Sequence, residues 1–177
     1  LFPVSTKIEM LGYGLQHLNP KGGNVIYVDG GHGKYSGHEG WGSIVDDNGD
    51  DLLAKHSFLF PDMDVKKVSL PKGERYIIVS SFSDVKSQQN NGAELLAMIA
   101  GIRIALYSGK YFEVRSDSQL CVKYWSKSLT KSSSQKLSPE KISWINMLIS
   151  LRKKFEEGGG NIVQIKGSEN IADLGYH

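Results

Sequence analysis

The sequence predicts an α/β domain in which an antiparallel run of strands is followed by helices that alternate with strands. Three observations predict it. Residues 24–82 consist of short stretches rich in Val, Ile and Tyr, bounded by Gly, Pro and Asp, as strands and their turns are. The segment Ala93 to Leu106 is apolar at almost every position and too long for a strand, so it reads as a buried helix. Beyond it, strand-like Tyr111 to Ser116 and Asn161 to Lys166 flank an amphipathic helical stretch from Pro139 to about Phe155.

The chain has 177 residues, enough for one domain with a core of its own. Its hydrophobic fraction of 40% and charged fraction of 23% are those of an ordinary globular protein. The single cysteine, Cys121, excludes a disulfide framework and a Cys-based zinc site, and points to an intracellular setting. No apolar run reaches membrane-spanning length, since Leu95 to Leu106 is interrupted by Arg103, so no membrane partner is expected. The first residues, Leu1-Phe2-Pro3-Val4, carry neither an initiator Met nor a signal-peptide pattern, which points to a trimmed start. Residues 1–23 end in Asn19-Pro20-Lys21-Gly22-Gly23 and read as an N-terminal extension or linker; residues 24–177 form the domain.

The net charge of +2 says nothing about nucleic acid by itself. Its distribution says more. Lys123, Lys127, Lys131, Lys136, Lys141, Arg152, Lys153 and Lys154 face a single acid, Glu140, over that span. Such a flank can hold phosphates, and it can equally be the solvated surface of a lysine-rich helix.

The organising stretch is Asn24-Val25-Ile26-Tyr27-Val28-Asp29-Gly30-Gly31, an apolar strand that runs into a carboxylate and two glycines. A carboxylate there sits at the rim of a sheet, and the glycines let another backbone come close. A strand closed by an Asp-Gly turn is the plain alternative. The loop Gly30 to Gly42 contains His32, His38 and Glu39 at a spacing that fits no metal-ligand pattern, and it leads into a second strand, Trp41 to Val45. Asp46-Asp47-Asn48-Gly49-Asp50-Asp51 lacks the distal Glu of a calcium loop and reads as a hairpin turn. Leu52 to Phe60, Val65 to Leu70 and Arg75 to Phe82 are expected to be extended, which makes the first half a meander.

Gln88-Gln89-Asn90-Asn91-Gly92 then ends the strands, with Asn90 or Asn91 a candidate N-cap for the apolar helix. Glu94 is placed in its first turn, where a carboxylate suits the helix dipole. Burial of so apolar a helix makes an acid at its start costly, which favours a functional role. Asp117 repeats the setting of Asp29: an acid at the carboxyl end of a strand, which capping of the next helix would also explain. That helix is expected through Trp125. Ser126 to Ser138 is a Ser/Lys-rich loop, Gly158-Gly159-Gly160 stops the following helix, and Ser168 to Asp173 opens a last one.

Four of these stretches, in this order, resemble ribonuclease H of the type 1 family: Tyr27-Val28-Asp29-Gly30-Gly31, Asn90-Asn91-Gly92-Ala93-Glu94-Leu95, Ser116-Asp117-Ser118-Gln119 and Asn170-Ile171-Ala172-Asp173. The resemblance spans residues 24–174. It implies a five-stranded mixed sheet, antiparallel strands then parallel ones, flanked by helices, with an insertion after the second strand at residues 46–75. It also implies an endoribonuclease that hydrolyses the RNA strand of RNA–DNA hybrids without regard to sequence, acting as a monomer. Asp29, Glu94, Asp117 and Asp173 would be catalytic and would hold two Mg²⁺, with Mn²⁺ a possible substitute. Asp29 would bridge the ions, Glu94 and Asp117 joining one and Asp173 the other. Gly30, Gly31, Asn90, Asn91, Ser118 and Gln119 would contact the substrate, the amides reading 2′-hydroxyls in the minor groove.

Phosphodiester hydrolysis needs an activated water and a neutralised leaving oxygen, and two Mg²⁺ about 3.5–4 Å apart supply both. Mg²⁺ is a hard cation, so carboxylates suit it. Two features depart from the family. The loop Ile165-Lys166-Gly167-Ser168-Glu169-Asn170 has serine where the family often places a histidine, so no histidine is carried over and His177 is left as the nearest in sequence. The basic protrusion is reduced at most to Lys123-Tyr124-Trp125-Ser126-Lys127 and its loop, where Trp125 equally fits the core. A same-fold nuclease acting on DNA and a non-catalytic nucleic-acid-binding module are the alternatives; retention of all four carboxylates weighs against the second.

Overall fold

A computed structural model describes residues 24–33, 40–82, 89–128 and 137–175, with only the backbone of Gln89 and Asn90. The expected extension at residues 1–23, His38 and Glu39, the side chain of Asn90, Lys131, Lys136 and His177 lie outside the described residues. The fold is α/β, a six-stranded mixed sheet flanked by helices.

The strands are β1 (Val25–His32), β2 (Gly40–Asp46), β3 (Asp64–Leu70), β4 (Gly73–Ser80), β5 (Glu113–Ser116) and β6 (Asn161–Gln164), and they lie in the order β3-β4-β2-β1-β5-β6. The first four pair antiparallel; β5 and β6 join parallel, β5 beside β1. The sheet is therefore one strand larger than the expected five. The extra strand is β3, which comes from the insertion and forms a hairpin with β4 through Pro71-Lys72 and Gly73, whose φ is +129°. It is an edge strand, and exposed Lys66 and Lys67 protect it from pairing with another chain. The meander is also broken in space, because β2 pairs with β4 rather than with β3.

The expected strand Leu52 to Phe60 is instead a short helix, α1 (Leu52–Lys55), and a 3₁₀ turn, Ser57–Leu59. Asp51 decides this: its Oδ1 accepts from the N–H groups of Leu53 and Ala54 at 3.1 and 3.2 Å, an N-cap that an extended chain could not use. The same carboxylate accepts from Tyr76 N–H at 2.7 Å and ties the insertion to β4. Asp46 Oδ1 closes the preceding turn by accepting from Asn48 and Asp50 N–H.

Helix α2 (Gln89–Ser108) crosses one face of the sheet, and α3 (Pro139–Glu157) packs on α2. Ile26, Val28, Ile44, Ile78, Val114 and Ile162 point from successive strands into this layer and meet Leu95, Met98, Ile99 and Ile102. On the other face a smaller cluster joins Trp41, Ile77 and Val79 to Leu174. Helix α2 begins earlier than expected, so Asn91 lies inside its first turn and Glu94 in its second. Neither the capping role of the asparagines nor the dipole account of Glu94 stands.

Two further helices differ from expectation. After Asp117 the chain forms a π-helix, Leu120–Trp125. The last helix is only a 3₁₀ turn, Gly167–Glu169, because Glu169 Oε1 folds back to accept from Lys166 N–H at 3.1 Å and Asn170 is extended. Among the described residues no helix is long and apolar enough to cross a membrane.

Candidate metal centre

Strand pairing places the first two carboxylates. The parallel ladder between β1 and β5 ends at Tyr27 and Arg115. Asp29 and Asp117 each stand two residues beyond that last pair, where the strands are no longer tied to one another. Asp117 stands just past the carboxyl end of β5, whereas Asp29 lies within β1, which runs on to His32 against β2 instead of closing after the acid. The site is where the parallel pairing stops beside the change to antiparallel, as at the switch points where open α/β sheets bind ligands.

Gly30 admits the third. A Cβ on it would stand 2.6 Å from the Ala93 carbonyl carbon and closer still to Glu94 N, so only glycine lets α2 press on β1 here. The backbone that approaches Gly30 is therefore the protein's own. Gly31 faces the other way, and its Cβ would stand 2.5 Å from the Trp41 ring, its partner across the β1–β2 ladder. Asp29, Glu94 and Asp117 consequently offer oxygens within 4.8 Å of one another, a cluster that could hold a metal ion.

Asp173 lines the same cavity, of about 400 Å³, with Gly30, Gly31, Trp41, Gly167 and Ser168. All four sequence-selected carboxylates thus reach one cavity, each from a different element. Ser118, not Asp117, caps the following turn: its Oγ accepts from Cys121 N–H at 3.2 Å, and Ser116 Oγ accepts from Ser118 N–H. Capping does not account for Asp117.

The electrostatics of the cluster are those of crowded acids. Burial is the main cause that raises Asp29 to about 7, and the charges of Asp117 and Asp173 add to it; hydrogen bonds from Glu94 and the Gly30 backbone act in the opposite direction. Burial also pushes Glu94 well above the usual carboxylate range, with Asp29 and Asp117 next. Glu94 Oε2 is buried with no hydrogen-bond partner. A buried, unpaired carboxylate oxygen among three other acids is costly, and a cation would satisfy it.

The expected substrate contacts are distributed unevenly. Gly30 and Gly31 line the cavity, Gln119 is exposed, and Asn91 and Ser118 are half-buried. The basic flank is only partly a surface: Lys123, Lys127, Lys153 and Lys154 are exposed, but Lys141 is fully buried and Arg152 nearly so. Trp125 is core, with the Lys141 ammonium 5.7 Å from its ring centroid. Sequence reasoning missed Trp41 as a cavity wall and Asn170 as an anchor. The Gly31↔Trp41 register carried the first signal, since glycine facing an aromatic across an antiparallel pair marks close packing. No protein-family model matches the chain, and no curated protein matches it.

Proposed function

We propose that this protein is an endoribonuclease that hydrolyses the RNA strand of RNA–DNA hybrids, on a fold of the type 1 ribonuclease H kind, with two Mg²⁺ held by Asp29, Glu94, Asp117 and Asp173. The observation that carries the reading is the convergence of these four carboxylates on one cavity. The ordered motifs around them in the sequence support it. An all-oxygen, all-anionic donor set suits a hard divalent cation, and the orphaned Glu94 oxygen fits the same conclusion. Mn²⁺ would be accepted as a substitute.

When bound, two such ions supply a water nucleophile at neutral pH and stabilise the leaving oxygen. The protein's own part is to hold the ions and present the strand. Asp29, clustered with Glu94 and Asp117 and exposed to the charge of Asp173, would be the central ligand. Burial and mutual repulsion raise both Asp29 and Glu94, so protons would compete with cations for these carboxylates and affinity would rise with pH. Gly30 and Gly31 line the cavity and would present backbone groups to the substrate, while the space beside each is taken by α2 and by the Trp41 ring. Asn91, three residues before Glu94, and Ser118 and Gln119, which follow Asp117, would offer groups that both donate and accept, as a 2′-hydroxyl requires. Contacts of this kind read sugar and shape rather than bases, so cleavage is independent of sequence. Ser168 lines the cavity in the braced turn before Asp173.

The test is incubation with end-labelled RNA–DNA hybrid, double-stranded RNA and double-stranded DNA, with and without Mg²⁺. Cleavage of only the RNA strand of the hybrid, and only with Mg²⁺, is the expected result. Cleavage of DNA duplex, or none of any substrate with either Mg²⁺ or Mn²⁺, would overturn the proposal.

A further inference from the structure

The segment that leaves Asp117 carries a device for which the sequence gives no sign. In the π-helix the Ser126 N–H donates to Cys121 O at 3.0 Å, five residues back, instead of to Val122 O, its α-helical acceptor. The Val122 carbonyl accepts from two side chains instead, Arg152 Nη1 at 2.6 Å and Ser126 Oγ at 3.0 Å. Arg152 Nη1 also reaches Ser126 Oγ at 2.5 Å, and its Nε lies 3.4 Å from Glu156 Oε2. Arg152 is only 6% exposed.

Burying a guanidinium costs several kcal/mol unless polar partners surround it, and an apolar side chain would serve the α3 packing at less cost. Apart from Glu156, its partners belong to one turn. A π turn is an α turn with one residue added, so its collapse would rotate the chain on either side by about 100° relative to each other. Cys121, Val122 and Trp125 are all held in the core, and Asp117 follows directly on β5, which leaves the stretch between Asp117 and Cys121 to absorb any change. The rotation would therefore fall on Ser118 and Gln119.

We propose that Arg152 is a positioning residue for the candidate site: by occupying the Val122 carbonyl it holds the π turn open and sets the direction in which Ser118 and Gln119 leave Asp117. The consequence for substrate rests on the hybrid-cleavage reading; the positioning itself does not.

The experiment compares the full chain with Arg152→Met, Arg152→Lys and, as a control from the exposed side of α3, Ser150→Ala. The readouts are the amide ¹H–¹⁵N resonances of Ser118 and Gln119 in metal-free protein, and KM and kcat for hybrid. Arg152→Met should move both resonances and raise KM by about tenfold or more with kcat little changed. Arg152→Lys, which restores one donor, should recover most of both, and Ser150→Ala should change neither. A folded Arg152→Met whose Ser118 and Gln119 resonances stay in place overturns the inference, as does an unchanged KM in an active enzyme. If the wild type cleaves no hybrid while the resonances still move, the functional reading falls and the positioning role stands. If Arg152→Met does not fold, Ser126→Ala removes the other donor to the same carbonyl, and the same two resonances decide.

Discussion

The Asn170 side chain donates through Nδ2 to the Val28 carbonyl at 2.9 Å, across 142 residues of sequence. Its Oδ1 accepts from Ala172 N–H at 3.1 Å, so one buried amide fastens the C-terminal segment to β1 immediately before Asp29. Asp173 reaches the cavity from that anchor. Asn170→Ala would leave the Val28 carbonyl buried and unpaired, which costs about 1–3 kcal/mol. We expect the midpoint of urea unfolding to fall accordingly, and Mg²⁺ affinity measured by calorimetry to fall with it. Wild-type metal affinity in this variant would mean that Asp173 is held by other contacts.

Asp117→Asn should keep the fold and lose the chemistry. Ser118 supplies the cap of the following turn, so the substitution removes a proposed metal ligand and little else. Cleavage of hybrid should drop by about a hundredfold or more while thermal stability is held or rises, because like charges are fewer. Turnover near that of the wild type would remove Asp117 from the site.

The raised carboxyl of Asp29 predicts how stability depends on pH. Its folded value is about 7, against 3.8 unperturbed, so the folded protein binds the proton more tightly than the unfolded chain. The stability this group contributes is complete below the unperturbed value and is lost as pH rises through 7. In a chelator, the melting temperature should therefore decline from about pH 4 to pH 7 at this site, and Mg²⁺ should restore it most at the upper end. A protein melting at the same temperature with and without Mg²⁺ at pH 8 would contradict the metal assignment.

Gly30→Ala tests whether the glycine serves packing. Its Cβ would press on the backbone of Ala93 and Glu94, which cannot step aside as a side chain could. Overpacking of this kind costs about 1–3 kcal/mol, occasionally more. We expect denaturant stability to fall by that amount and Mn²⁺ affinity to fall as Glu94 is pushed from Asp29. Loss of hybrid affinity with both of these unchanged would show that Gly30 acts on substrate alone.

Local chemistry was enough to mark the acids themselves. An acid at the end of a Val/Ile/Tyr-rich strand or within an apolar helix is visible in a line of residues, because strand and helix signals are short-range and burial makes a carboxylate costly wherever it occurs. The antiparallel-then-helical order was legible for the same reason. What the line could not contain was competition between local and distant partners. Leu52 to Phe60 has strand composition, yet the Asp51 cap turns it into helix and Tyr76 N–H holds that cap from β4. Lys141 and Arg152 look like surface bases, but the packing of α3 on α2 and the π-helix buries both.

The sequence by itself marked the candidate side chains: four carboxylates, two glycines after the first, and a single cysteine that excludes a Cys-based zinc site. Only the tertiary structure decided that these acids meet. Asp29 and Asp117 become neighbours because two parallel strands end their pairing together, Glu94 because Gly30 has no side chain, and Asp173 because Asn170 spans to Val28. Each of these is a contact between residues far apart in the chain, so its geometry depends on how layers pack and not on what any one segment prefers.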